Sequence, residues 1–169
     1  MHVQRGGIPA PFTGHTASVR LEWIDENGHM NMAYYLVVFD GAIDHLWPAV
    51  GLGETYRRST QHGTFAVEAH IHYRAELLLG DRVHVTTQIL GADDKRIHLA
   101  HEMTQDDTGA VVAQQEVMLL HVNLVTRRVV PFLPEAADLV AAGAQAHAAL
   151  PRPAWVGRAL AMPEARRPA

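Results

Sequence analysis

The chain of 169 residues contains no cysteine, which removes disulfides, thiolate metal sites and a cysteine nucleophile together. It has no apolar run near the roughly 18 residues that a membrane span takes, and its opening MHVQRGGIPAPFTGH holds no apolar stretch of the signal-peptide kind. A cytoplasmic protein with no membrane partner is therefore expected. Basic residues are also short: 14 Lys and Arg against 18 Asp and Glu give a net charge of −4, with the cations scattered. No field for a polyanion results, so nucleic acid is not an expected partner. The patterns GxSxG, GxxxxGK[ST] and GxGxxG are absent too. A serine hydrolase elbow, a nucleotide-triphosphate loop and a dinucleotide fold thus lack their usual support.

What is present suits one globular domain, with 48% hydrophobic residues over a length that can bury a core. Residues 1–14, with Gly6, Gly7, Pro9, Pro11 and Gly14, read as a loose arm. HTASVRLEW (15–23) reads as a strand. From Met32 to Trp47 the apolar set Tyr35, Phe39, Ile43 and Leu46 repeats at the helical period, and Tyr34, Val37, Val38 and Trp47 fill other faces. This predicts a helix buried nearly all round, ended by Pro48 and Gly51, with GLGETYRRSTQHG as an irregular connection.

Beyond Gly63 the period becomes two. In TFAVEAHIHYRAEL, Phe65, Val67, Ala69, Ile71 and Tyr73 point one way and Glu68, His70, His72 and Arg74 the other. Strands RVHVTTQIL (82–90), KRIHLAHEMTQ (95–105) and AVVAQQEVMLLHVNLV (110–125) follow, separated by turn signals at Gly80-Asp81, Gly91 to Asp94 and Asp106 to Gly109. Residues 133–150 predict an alanine-rich helix, and 151–169 a poorly ordered tail. The domain therefore spans 15–150. A helix apolar all round needs a sheet curled about it, so the expected class is α+β, a long curved antiparallel sheet around a central helix plus a C-terminal helix. Such a sheet leaves edges and an outer face to cover, which predicts at least a homodimer.

Three features carry candidate chemistry. Glu68, His70 and His72 share a strand face at metal-like spacing, but nothing completes a coordination set and Arg74 comes next on that face, so no metal is expected. The Asp93-Asp94-Lys95-Arg96 turn has the charges for a phosphate, yet a balanced turn of this kind is ordinarily solvated. The stretch EWIDENGHMNMAYY, residues 22–35, is different. Asn31 is a sound N-cap for the helix. A cap does not account for Asp25, Asn27 and His29, three polar groups at the mouth of a buried apolar helix. The residues alone leave a turn and a site both open.

D-x-N-G-H-x-N followed by an aromatic-rich helix resembles the active-site segment of hotdog-fold thioesterases, in which a sheet wraps a central helix, and the resemblance runs from about residue 15 to 128. Asp25 corresponds to the catalytic carboxylate of the 4-hydroxybenzoyl-CoA thioesterase type, and the Asp, Asn and His match plant acyl-carrier-protein thioesterases. WIDENGHMN, TFAVEAHIHY, LGADDKRIHLAHEM and QQEVMLLHVN together resemble, more narrowly, the thioesterases of carnitine degradation. Those act on betainyl-CoA, alone or as the tail of a carnitine dehydrogenase.

The resemblance implies hydrolysis of a small acyl-CoA, with no cofactor beyond the CoA of the substrate. Asp25 would be general base or nucleophile, and Asn27 and His29 would orient it or the attacking water. The backbone amide of Met32 would polarise the thioester oxygen. For a trimethylammonium acyl group, Trp23, Tyr35, Phe39, Trp47 and Phe65 offer aromatic faces and Glu68 a counter-charge, although by period Glu68 and Phe65 lie on opposite faces. Two other readings share the fold: an enoyl-CoA hydratase, against which Gly28 stands where a proline is usual, and a non-catalytic acyl-CoA sensor, for which no DNA-binding segment is visible. The assembly expected is a homodimer or homotetramer.

Overall fold

The computed structural model describes residues 8–160. Residues 1–7 of the expected arm and 161–169 of the expected tail lie outside the described residues. The elements run β1 (Phe12–Ser18), α1 (Met32–Leu46), α2 (Glu54–Thr60), β2 (His62–Tyr73), β3 (Arg82–Ala92), β4 (Arg96–Gln105), β5 (Val111–Asn123), β6 (Arg128–Val129) and α3 (Pro134–His147). The strands form one antiparallel sheet in the order β1-β3-β4-β5-β2, with the short β6 added on β5. Alternation sends Val83, Val85 and Ile89 of β3, Ile97, Leu99 and Met103 of β4, and Ala113, Val117 and Leu119 of β5 into the core. They meet Tyr35, Val38, Phe39, Ala42, Ile43 and Leu46 of α1. This is the curled sheet around a central helix that the sequence predicts, with α3 closing the end near β3. Among the described residues no helix is long and apolar enough to cross a membrane.

The core falls into two clusters. Trp23, Met30 and Phe39 pack with Val83, Val85 and Met103; Leu46, Trp47 and Val50 pack with Ile89, Leu99, Val117 and Val140 of α3. Between them, across three neighbouring strands, runs a buried polar row of Thr87, His101 and Gln115. Thr87 Oγ1 lies 2.9 Å from His101 Nδ1, and burial, aided by the charge of His15, pushes the His101 pKa down to about 3. The ring is therefore neutral in the folded protein. His98, one face over, pairs instead with Glu116 at 2.7 Å.

Several expectations are corrected. The helix is not covered all round, since Met32, Leu36 and Val37 are 64%, 46% and 53% exposed on a face that the sheet of one chain does not reach. The alternation in β2 breaks at Val67, where the pairing with β5 slips by one residue, and Phe65 opposite Leu120 and Glu68 opposite Met118 consequently share the outer face. The first strand occupies Phe12–Ser18 rather than 15–23, with a single helical turn at Leu21–Trp23 following. GLGETYRRSTQHG is not all irregular: it contains α2, anchored by the hydroxyl of Tyr56 at 2.8 Å from His121 Nε2. Residues 151–160 are not loose either. They cross the outer face, where Gly157 N–H donates to Glu116 Oε2 at 2.6 Å and Trp155 meets His72 edge-on.

Candidate active site

The stretch between β1 and α1 folds back on itself as a tight turn. Ile24 and Met30 bridge in antiparallel fashion, Asp25 N–H donates to His29 O, and Gly28 N–H donates to Asp25 O. Gly28 sits at φ +82°, where any other L residue would be strained, although open space surrounds its α-carbon. The turn aims the Asp25 carboxylate back over its own backbone, where Oδ1 accepts from Asn27 N–H at 2.9 Å. The Asp25 side chain is 13% exposed, and His29 Nδ1 lies 4.0 Å from its Oδ1. The same ring nitrogen is 3.3 Å from Met30 O. Asn27 is exposed at the tip of the turn and its side chain makes no hydrogen bond among the described residues.

Asn31 then starts α1 as predicted. Its Oδ1 accepts from Ala33 N–H at 3.0 Å and its backbone carbonyl from Tyr34 N–H. Met32, the first helical residue, is left with an N–H that has no acceptor among the described residues. Free amides at a helix start carry the positive end of the helix dipole, so this one is a donor for a developing negative charge. Its peptide is held: Asn31 N–H donates to Trp23 O and Met30 N–H to Leu77 O, each at 2.8 Å. Tyr73 Oη donates to Met32 O at 3.2 Å.

A cavity of about 320 Å³ opens at this helix start, walled by His29, Met32, Tyr35, Tyr73, Arg74 and Glu76 among others. Tyr35 donates its hydroxyl to Ala75 O and meets the Tyr73 ring edge-on at 5.2 Å. Burial pushes the Tyr35 phenol up to about 12 and raises that of Tyr73, so both remain protonated donors.

The structure sets His29, Met32 and Tyr35 on one cavity wall and Asp25 and Asn27 on the turn beside it, with Asp25 4.0 Å from His29. Trp23 is buried beside them, stacked on Tyr34 at 5.4 Å, and Phe39 is fully buried against His101, so neither ring reaches the cavity wall. Phe65 and Glu68 are not brought to this site within one chain. Phe65 lies on the outer face under the Arg127 guanidinium, and Glu68 lies 3.4 Å from His70 Nε2. Sequence reasoning missed Tyr73, Arg74 and Glu76. Their one signal was position at the end of β2, and nothing in a period says which element a strand end will meet.

Comparison with known proteins gives this geometry its family. The model of the thioesterase-like superfamily matches residues 19–140. The chain belongs to that superfamily, and within it to the acyl-CoA thioesterases. The betainyl-CoA thioesterase of Pseudomonas aeruginosa is 42% identical over 154 residues, covering 91% of this chain and 97% of that protein. The L-carnitine dehydrogenase/betainyl-CoA thioesterase of Agrobacterium fabrum is 40% identical over 135 residues, which are 79% of this chain but 28% of that longer one. Among solved structures, a Staphylococcus aureus protein in complex with CoA superposes with a TM-score of 0.82 at 30% identity, covering 94% of this chain and all of that one (100%).

Proposed function

We propose that the chain hydrolyses a small acyl-CoA, with betainyl-CoA as its substrate, and that the reaction takes place between Asp25 and the start of α1. The observation that carries this is the division of amides at the helix start: Asn31 occupies those of Ala33 and Tyr34 and leaves that of Met32 free. A thioester carbonyl placed on the Met32 N–H is polarised, and the tetrahedral oxyanion formed on attack is stabilised by the same donor and by the helix dipole. Asp25 supplies the other half. As general base it takes a proton from the attacking water; as nucleophile it forms a mixed anhydride that water then opens. In either course the C–S bond breaks, CoA leaves as the thiol after protonation, and the acid remains. His29, 4.0 Å from the carboxylate, orients it or the water, with Asn27 on the same turn. The narrower substrate rests on the 42% identity to the Pseudomonas betainyl-CoA thioesterase over nearly its whole length.

The working form is proposed to be at least a homodimer. Met32, Leu36 and Val37 of α1 are exposed, and so are residues 66–70 of β2, a strand at the sheet edge, with Val67 54% open. A second copy running antiparallel along that edge pairs its free backbone groups and covers the row at once.

The test is release of free thiol from a panel of acyl-CoAs carrying betainyl, short straight-chain and aromatic acyl groups. Asp25→Asn is expected to lower kcat by about 10²–10⁴ with the fold intact by circular dichroism. Binding without thiol release would remove the reading, and full turnover in the variant would move the reaction elsewhere.

A further inference from the structure

We propose that Tyr73 and Glu76, backed by Tyr35, form a seat for a quaternary ammonium on the acyl group, and so set the acyl selectivity of this site. The inference rests on the reading that the thioester carbonyl lies on the Met32 amide. A quaternary ammonium has no N–H to donate. It is recognised by aromatic faces and by through-space attraction to a carboxylate, not by hydrogen-bond acceptors. When the nitrogen stands one methylene from the carbonyl carbon, the two are only ~2.5 Å apart at ordinary bond lengths. A seat for it must therefore adjoin the carbonyl's own donor, and residues on the outer face cannot serve from within the chain.

The cavity at the helix start meets that requirement. The Tyr73 hydroxyl donates to the carbonyl of Met32 itself at 3.2 Å, which shows that its ring stands beside the reacting position. Tyr35 stands edge-on to it at 5.2 Å. Glu76 lines the same cavity, and among the described residues neither it nor Arg74 on the same wall forms an ion pair. The wall is pre-set. Arg74 and Ala75 N–H both donate to Val112 O, Ala75 O accepts from Tyr35, and Leu77 O accepts from Met30 N–H. A short acyl cation thus meets a ring and a carboxylate on one cavity wall, while Arg74 remains for the anionic CoA portion.

The test compares betainyl-CoA with 3,3-dimethylbutanoyl-CoA, in which a tert-butyl group replaces trimethylammonium at nearly the same shape and without charge. The quantity read is the ratio of their kcat/KM values. Wild type is expected to favour the cation. Glu76→Gln and Tyr73→Leu should each lower the ratio by roughly two- to thirty-fold, the range of cation–aromatic and nearby-charge effects. Tyr73→Phe, which keeps the ring, should retain it, and Glu76→Lys should invert the preference. A ratio unmoved by Glu76→Gln and Tyr73→Leu, or one lost equally in Tyr73→Phe, overturns the seat. Asp25→Asn, assayed on the uncharged ester alone, separates the two readings. If it abolishes thiol release while wild type shows no cationic preference, the reaction reading stands and the seat falls. If it does not, the reaction lies elsewhere, and the seat falls with it.

Discussion

Asn31 serves two amides and spares a third, and that division matters more than the cap itself. Its side chain holds Ala33 N–H and its carbonyl holds Tyr34 N–H, so the helix start is fastened while the Met32 donor stays open. Asn31→Ala is expected to cost about 1 kcal/mol of stability, measured by urea unfolding, with a smaller loss of kcat than Asp25→Asn gives. The polar residues of this turn were legible because three of them crowd one glycine ahead of an apolar helix, a pattern that capping alone does not account for. Tyr73 and Glu76 were not. Tyr73 meets Met32 across 41 residues of chain, and such a contact leaves no local trace.

At the scale of elements, α1 and the four long strands were readable because each buries a face, and burial writes a period into the sequence. α2 was missed for the converse reason, since none of its seven residues is buried. The slip at Val67 was missed because one extra residue changes no composition and only afterwards inverts the phase. That slip moves Phe65 to the outer face beside Glu68, and the carboxylate on the cavity wall at the helix start is Glu76, beyond the end of β2.

The strands also carry a pH response. Because the His101 pKa falls from 6.5 to about 3 on folding, the unfolded chain binds the extra proton between those values. Stability is then fully present above pH 6.5 and lost as pH falls toward 3, with the slope of one proton for this residue. His121 and His147, lowered chiefly by burial, act in the same direction. Urea unfolding at pH 7.5 and pH 5 should show the fall, and His101→Gln should reduce its slope.

At the scale of the whole molecule, the exposed α1 row and the β2 edge are where a second copy is proposed to dock. Leu36→Asp, which puts a charge at 46% exposure on that row, is expected to shift light-scattering mass toward the monomer. The ground for proposing self-association lay in the sequence, in a sheet with edges to cover and a helix too apolar for one chain. Which face would remain open was not, because that depends on where the sheet ends in space.

The division of the core by the row of Thr87, His101 and Gln115 has an optical consequence. The chain has three tryptophans, and each belongs to a different district. Trp23 lies in the cluster at the helix start, Trp47 in the cluster closed by α3, and Trp155 on the segment that crosses the outer face. The native emission spectrum is thus a sum of three local reporters, and replacing two of them by phenylalanine leaves a dye-free probe of the third region.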